Sequence, residues 1–347
     1  MPKRIQISSD DITYHTLPGN TGELRDEAGE LTDTIFGQPF ESSESGLITA
    51  SISANALYKG FAGYIVKLMK GGTPVAMTAE PMSLVVGKTY TVTATTKQFI
   101  DPATTMNVFV AAVNQNAQVE RVDYPLGEVT FKSTYTVSGA VTITGAYVPT
   151  TAIAGARTFN LTQTEAVIDN TDIVAAKANG GFRTYVAGGL KSVALEIGGI
   201  FSVANAFRAA LIARAPIYIE INPDNSNLSI CRGVFKYSGR AQSGDLGALE
   251  EENLTLRLYV PPEQASGLPW GLPFGWNHSA SSTLSQAVQK SLNSWQDSTV
   301  LYAKYLYDGL AGFKAPVLVT DISLSGGLES MNEFTANYQV NGAATVV

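Results

Sequence analysis

Along most of the chain apolar and polar residues alternate with the period of two that a half-buried strand requires. Leu84–Thr95 (LVVGKTYTVTAT) alternates, and Glu128–Tyr147 (EVTFKSTYTVSGAVTITGAY) alternates for two strands around a Ser-Gly turn. Ile217–Ile221, Leu254–Val260, Val300–Tyr307 and Phe334–Val340 follow the same rule. Thr, Val, Ile and Tyr fill these stretches, and Gly, Asn, Asp and Pro separate them. Two segments have the helical period instead. Ser202–Arg214 spaces Val203, Phe207 and Leu211 four apart, with Ala206 and Ala210 beside them. Ser281–Gln296 sets Leu284, Val288, Leu292 and Trp295 on one stripe, against Gln286, Lys290 and Asn293. Each predicts an amphipathic helix of about three to four turns. Pro216 ends the first, and Asp297-Ser298 the second.

The pattern repeats within the chain. Gly46–Tyr58 (GLITASISANALY) aligns without gaps on Gly189–Phe201 (GLKSVALEIGGIF). Each opens on Gly-Leu, alternates, and closes on an apolar-aromatic pair. A polar stretch with Thr-Asp precedes each, at Thr32-Asp33 and Thr171-Asp172. Ser243-Gly244-Asp245-Leu246 leads to Glu251 and then Leu254, Leu256, Leu258 and Val260. Ser325-Gly326-Gly327-Leu328 leads to Glu333 and then Phe334, Ala336, Tyr338 and Val340, and a two-residue gap matches the apolar positions. The recurring unit is therefore a strand, a long polar loop, a Gly-Leu strand, a helix, a strand and a hairpin.

One copy is contiguous and the other is split around it. This predicts a first unit from residues 1–71 with 265–347, an all-β accessory domain at 72–149, immunoglobulin-like being one form of it, and a second unit at 150–264. The expected fold class is mainly β: two barrel or sandwich units with one helix each, plus the accessory domain. Linker-like composition at Met69–Pro81, Val148–Ala156 and Pro261–Ser282 marks the boundaries, the last carrying Trp270, Phe274 and Trp276.

The Gly189–Phe201 strand, the helix after it, and Ser325-Gly326-Gly327-Leu328 with Glu333-Phe334, Tyr338 and Asn341-Gly342 resemble the tail tube (major tail) protein of long-tailed bacteriophages. Asp123–Pro149 is similar to the accessory β-segment of phage tail proteins. The resemblance extends over most of the chain and rests on order and spacing. It implies that each unit gives strands to an inner β-barrel around a lumen, that rings stack through the long polar loops, and that DNA passes down the lumen at infection. Single-unit subunits of that family form six-membered rings. Two units per chain then imply three chains with pseudo-sixfold symmetry, or six chains if the split unit is not real. An outward accessory domain would obstruct a sheath, which implies a non-contractile tail.

The implied partners are further copies of the chain and other phage tail proteins, with DNA passing unbound and no membrane insertion. The implied location is the virion tail, with assembly in the host cytoplasm. The loops Gly19–Ser45 and Gln163–Ala187 are the candidates for ring stacking, through Glu23, Asp26, Thr32, Asp33, Glu41, Thr171, Asp172, Lys177 and Arg183. Glu196, Glu220 and Glu333 are the candidate acidic residues of the lumen wall.

Composition bears on this in three ways. Only 15 % of the 347 residues are charged, against the ~25 % of ordinary soluble domains, so much weakly polar surface is left for partners to cover. The net charge of −7 gives no general attraction for phosphates, which disfavours nonspecific DNA binding. No window approaches the ~20 apolar residues of a membrane span, and Met1–Asp10 lacks the apolar core of a secretory leader.

Catalytic chemistry finds little footing. His15 and His278 read as surface residues, and Cys231 as a small apolar strand residue. Metal-spaced His or Cys pairs and a Gly-x-Ser-x-Gly elbow are absent. Asp10-Asp11, Asp26-Glu27 and Glu250-Glu251-Glu252 read as charged turns rather than glycosidase pairs. Asp224–Asn227 reads as a tight turn rather than a calcium loop. The aromatic group Trp270, Phe274 and Trp276 is expected to meet a neighbouring subunit. The chain is thus expected to be non-enzymatic and without cofactors. An adhesin or receptor-binding module, and a surface polysaccharide hydrolase, are the two readings from other classes.

Overall fold

The alternating stretches form antiparallel strands, and the computed structural model is mainly β. It describes residues 4–33, 42–58, 66–172, 182–198, 205–222, 229–243, 251–260, 267–269, 271, 273–278, 284–307, 309–327 and 332–347. The chain begins with β1 (Arg4–Ser8), β2 (His15–Thr16), β3 (Gly19–Asp33), β4 (Ser42–Tyr58) and β5 (Val66–Gly71). The accessory region supplies β6 (Val75–Val86), β7 (Thr89–Val92), β8 (Asn107–Val110), β9 (Val113–Asn114), β10 (Val119–Asp123), β11 (Glu128–Phe131) and β12 (Val141–Tyr147). Next come β13 (Thr150–Ala156), β14 (Thr158–Asp169), β15 (Tyr185–Gly198), α1 (Asn205–Ile212), β16 (Ile217–Ile221), β17 (Ser229–Ser243) and β18 (Glu251–Leu258). The chain ends with β19 (Phe274–His278), α2 (Gln286–Asp297), β20 (Leu301–Leu306), β21 (Gly312–Gly327), β22 (Asn332–Val340) and β23 (Thr345–Val346).

One sheet holds sixteen strands, and within it the same neighbour order occurs twice. The first run is β2-β1-β20-β21-β22-β4-β3, and the second is β13-β5-β16-β17-β18-β15-β14. The runs join where β14 pairs with β21. Their registers agree residue by residue. Ile52 faces Tyr338 as Leu195 faces Leu256, and Ala54 faces Ala336 as Ile197 faces Leu254. A bulge falls between Val319 and Asp321 in β21, and another between Tyr237 and Gly239 in β17. The β3–β4 pairing shifts between Ala28 and Glu30, and the β14–β15 pairing between Glu165 and Val167. Gly189, which opens the Gly-Leu strand at that second shift, has φ of 85°, a left-handed conformation that favours glycine.

Three sequence expectations change. The pattern groups Val66–Gly71 with the first unit, yet β5 pairs with β16 and β13 of the second run. The seven-stranded accessory sheet is inserted between β5 and β13, so a hairpin partner lies far off in sequence. The two-residue gap disappears, since Ser325 faces Glu333 as Ser243 faces Glu251, with the same spacing. The polar stretch Gly19–Ser45 is mainly strand, and Gln163–Ala187 begins and ends in strand. Residues 23 and 25–28 of β3 are exposed, so apolar alternation does not mark that arm.

Both runs share one core. Ile52, Ala54, Leu161, Leu195, Leu256, Leu324, Phe334 and Tyr338 are among its members. The predicted stripe Leu284, Val288, Leu292 and Trp295 is buried in it, and α2 ends at Ser298 in the left-handed conformation. The α2 C-terminus is held by the other run. Lys191 Nζ of β15 donates to the Trp295 and Gln296 carbonyls at 2.6 and 2.9 Å, a cation placed where the helix dipole favours it. The accessory sheet, in order β10-β11-β7-β6-β12-β8-β9, has a core of its own that includes Leu268 from beyond β18.

Candidate functional site

Strand alternation gives the shared sheet two unlike faces. One packs on the core. On the other, a row of directly opposed residues runs Glu333, Ser325, Asn160, Glu196, Thr255 across β22, β21, β14, β15 and β18. The next row runs Asn55, Thr335, Ser323, Thr162, Ala194, Arg257. Hydroxyls and amides dominate both rows, and they satisfy one another. Ser323 Oγ donates to Asn160 Oδ1 at 3.0 Å between the two rows, and in the row beyond them Ser53 Oγ donates to Asn337 Oδ1 at 2.8 Å. The face therefore crosses both runs without interruption and carries few charges.

Glu196 and Glu333 both lie on this face and are exposed. Glu220 does not. It is 8 % exposed in β16, with Lys67 Nζ at 2.7 Å and Arg232 Nε at 2.9 Å. Burial alone would raise its carboxyl, and the hydrogen bonds and charges of Lys67 and Arg232 outweigh that and hold it below the usual glutamate value. A residue so paired cannot serve as a wall charge, so the Glu220 expectation is corrected. A shallow depression of about 610 Å³ on the face is lined by Asn160, Glu196, Asn253 and Thr255, with Glu196 the one carboxylate among the described residues of its lining.

The stacking candidates divide. Glu23 and Asp26 lie exposed in β3, Glu23 accepting from Arg25 Nε at 3.2 Å. Thr32 and Asp33 end that strand. Glu41 and Lys177 fall outside the described residues. Thr171 and Asp172 follow β14, and Arg183 precedes β15. Thr171 and Arg183 meet at Asp169, whose carboxyl is held below its ordinary value by hydrogen bonds from Thr171 and then Arg183. The Arg183 backbone also bonds Ile48 and Gly342 at 3.0 Å each. The two side chains close the base of the β14–β15 hairpin, and the Arg183 backbone fastens that base to the first run.

Sequence reasoning did not find the junction of the accessory sheet with the rest. Arg121 bonds Asp123 at 2.9 Å and Asp297 at 2.6 Å. Asn277 Nδ2 donates to Glu128 Oε1 at 2.6 Å, and Phe99 meets Tyr218 edge to face. Burial pushes the Asp123 carboxyl up to about 6 against the pull of Arg121. Burial, with Asp123 nearby, pushes Glu128 up to about 8. No local signal could have shown this, because partners such as Glu128 and Asn277 are 149 residues apart.

The aromatic expectation is also corrected. Phe274 and Trp276 are buried in the chain's own core, Trp276 Nε1 donating to Gln163 Oε1 at 3.1 Å, and Trp270 lies outside the described residues. Cys231 is a buried strand residue as expected. Among the described residues no cluster of three metal-ligating side chains occurs, and no helix is long and apolar enough to cross a membrane.

No protein-family model matches the chain, and no curated protein matches it. Two solved structures show a partial likeness. One is a chain from the tail of an empty gene transfer agent particle, refined helically with C6 symmetry, at 19 % identity and TM-score 0.27, covering 33 % of this chain and 84 % of that one. The other is a chain from the virion of a native gene transfer agent particle, at 20 % identity and TM-score 0.27, covering 32 % and 85 %. At that TM-score neither likeness carries weight for fold or function.

Proposed function

We propose that the chain is a structural virion subunit that assembles with itself into stacked rings, forming the tail tube of a long-tailed, non-contractile phage. One observation carries the reading. A single strand order occurs twice in the chain, the two copies are joined side by side through β14 and β21, and the corresponding outer edges have no partner among the described residues. A sheet with open edges is driven to extend or close. Closure through repeated lateral joints makes a barrel that leaves no edge. Three chains would give six such units around a pseudo-sixfold axis.

The polar face would then line the lumen. The neutral Ser, Thr and Asn side chains give phosphate no charge to bind, and Glu196 and Glu333 repel it, so DNA would pass with little friction. The arms of β3–β4 and β14–β15 beyond the shared sheet would reach the next ring, a head-to-tail contact that propagates as a filament. The accessory sheet would lie outside and be held stiffly by its junction with α2, β16 and β19.

Electron microscopy of the purified full-length protein tests this. Hollow filaments of uniform width with six density lobes per ring support the reading. A discrete oligomer that binds carbohydrate would favour an adhesin instead, and a persistent monomer at high concentration would refute self-assembly.

A further inference from the structure

We infer that the joint between copies is made by β3 of one chain adding to the free flank of β17 of the next, in a register that sets Asp26 against Arg240. The inference rests on the self-assembly reading above but specifies a joint that reading leaves open.

The template is inside the molecule. The long strand β21 is flanked on one side by β22, and on the other by β20 along its first part and β14 along its last. β17 has the same arrangement: β18 on one side, and β16 along the first part of the other. The remaining part, residues 239–243, has no partner among the described residues where β21 has β14. Conversely β14 has two neighbours, β15 and β21, whereas β3, its counterpart, pairs only with β4 among the described residues. One copy therefore offers a strand without an acceptor and an acceptor without a strand. The two are complementary only between molecules, as a head-to-tail joint requires.

The register follows from the inner joint. There Asn160 faces Ser325, Thr162 faces Ser323, Gln163 faces Ile322 and Thr164 faces Asp321. The residues that correspond through the matched ladders are Glu23 for Asn160, Arg25 for Thr162, Asp26 for Gln163 and Glu27 for Thr164. On the acceptor, Ser243, Ala241, Arg240 and Gly239 correspond to Ser325, Ser323, Ile322 and Asp321. The outer joint thus opposes Asp26 to Arg240 where the inner joint has the buried pair Gln163 and Ile322. A slip of one residue would break that pairing and turn each side chain to the other face. A charge left at that position without its counterpart would be desolvated and unpaired. The ion pair therefore selects both partner and register, and the neutral inner joint cannot substitute for it.

Two sets of variants test this in the full chain. Asp26→Arg alone and Arg240→Asp alone are expected to lower the association constant roughly a hundredfold or more, and the double swap to restore it. Neighbouring register pairs alternate between close and wide spacing, so Arg25→Cys/Ala241→Cys and Asp26→Cys/Arg240→Cys are both oxidised, and one is expected to form a disulfide between molecules. Cys231 is buried and does not compete. Intermolecular cross-links with charge-swap rescue support the joint. Filaments that form in the wild type without cross-link or rescue would overturn this register while leaving the tube intact. Cross-linked, rescue-dependent oligomers that never become tubular would support the joint and overturn the tube.

Discussion

Thr320 and Ser238 occupy the same place in two copies of one strand. Each is the bulged residue left between paired neighbours, and each hydroxyl reaches a carbonyl across its hairpin, Thr320 to Asn337 at 3.1 Å and Ser238 to Thr255 at 2.9 Å. The matching positions are the same number of residues apart on both strands. A bulge bends its strand and sharpens the local twist, and the hydroxyl replaces part of the ladder lost there. Both bulges fall just past the part of the strand that its first lateral neighbour flanks, β20 for β21 and β16 for β17. In β21 it lies between the part flanked by β20 and the part flanked by β14.

Replacing Thr320 with Val should therefore lower stability by about 1 kcal/mol, the usual net worth of one hydrogen bond. Ser238→Ala should cost no more, since that residue is exposed. The sites lie in separate runs, so the double variant should be additive to within about 0.5 kcal/mol. Denaturant unfolding of the dispersed protein measures all three, and strong non-additivity would mean the two bulges are not independent features.

The accessory-sheet junction should make stability depend on pH. Folded Glu128 has its carboxyl raised to about 8 from 4.5, chiefly by burial, and Asp123 moves the same way to about 6. Over that interval the folded protein keeps protons that the unfolded chain has released. The contribution is thus fully present at low pH and is lost as pH rises through about 8. Glu128→Gln keeps the acceptor for Asn277 and removes the titration. It should flatten the pH profile between about 4.5 and 8, where the folded and unfolded chains differ in bound protons, and should leave the variant more stable than the wild type at the alkaline end. Thermal melts of the two proteins across this range decide the point. An unchanged slope would show that Glu128 is hydrated in solution.

Gly271 ties the segment after β18 to the accessory sheet, its N–H donating to the Val122 carbonyl at 2.8 Å. A β-carbon there would lie 2.5 Å from that same oxygen and press on the Asp123 carboxylate. Gly271→Ala should therefore loosen the sheet from the core, by about 1–3 kcal/mol as overpacking usually costs. Hydrogen exchange should quicken in residues 119–131 and 274–278 while β4 and β22 keep their protection.

Much of the repeat is legible in sequence because Gly46–Tyr58 and Gly189–Phe201 carry both an alternating pattern and a Gly-Leu landmark that fixes its phase. The hairpin strands lack such a landmark among their apolar positions. A period of two matches itself at every even shift, so Leu254, Leu256 and Leu258 align as well with Phe334, Ala336 and Tyr338 as with their true counterparts Ala336, Tyr338 and Val340. Glu251 and Glu333 hold the right phase. β5 escaped because its hairpin partner β13 follows a whole inserted sheet. Glu220 looked like any outward strand glutamate, and only Lys67 and Arg232, brought from neighbouring strands, make it internal. Patterning reports which face a residue takes within its own strand. It is silent on which distant charge meets it there.

That silence makes the polar face the feature most in need of a direct probe. Glu196 and Glu333 share one cross-strand row, linked through Ser325 and Asn160. Both are exposed, so Glu196→Lys with Glu333→Lys should change folding stability by no more than about 0.5 kcal/mol each. Their effect should appear only when DNA meets an assembled tube. Reversing two charges per chain replaces repulsion with attraction along the whole wall, and each phosphate that a new lysine neutralises steepens the salt dependence of binding. Tubes of the double variant should therefore retain short duplex DNA at low ionic strength and release it as salt is raised, while wild-type tubes retain none. Equal retention by both, with assembly unimpaired, would mean that this face points away from the lumen.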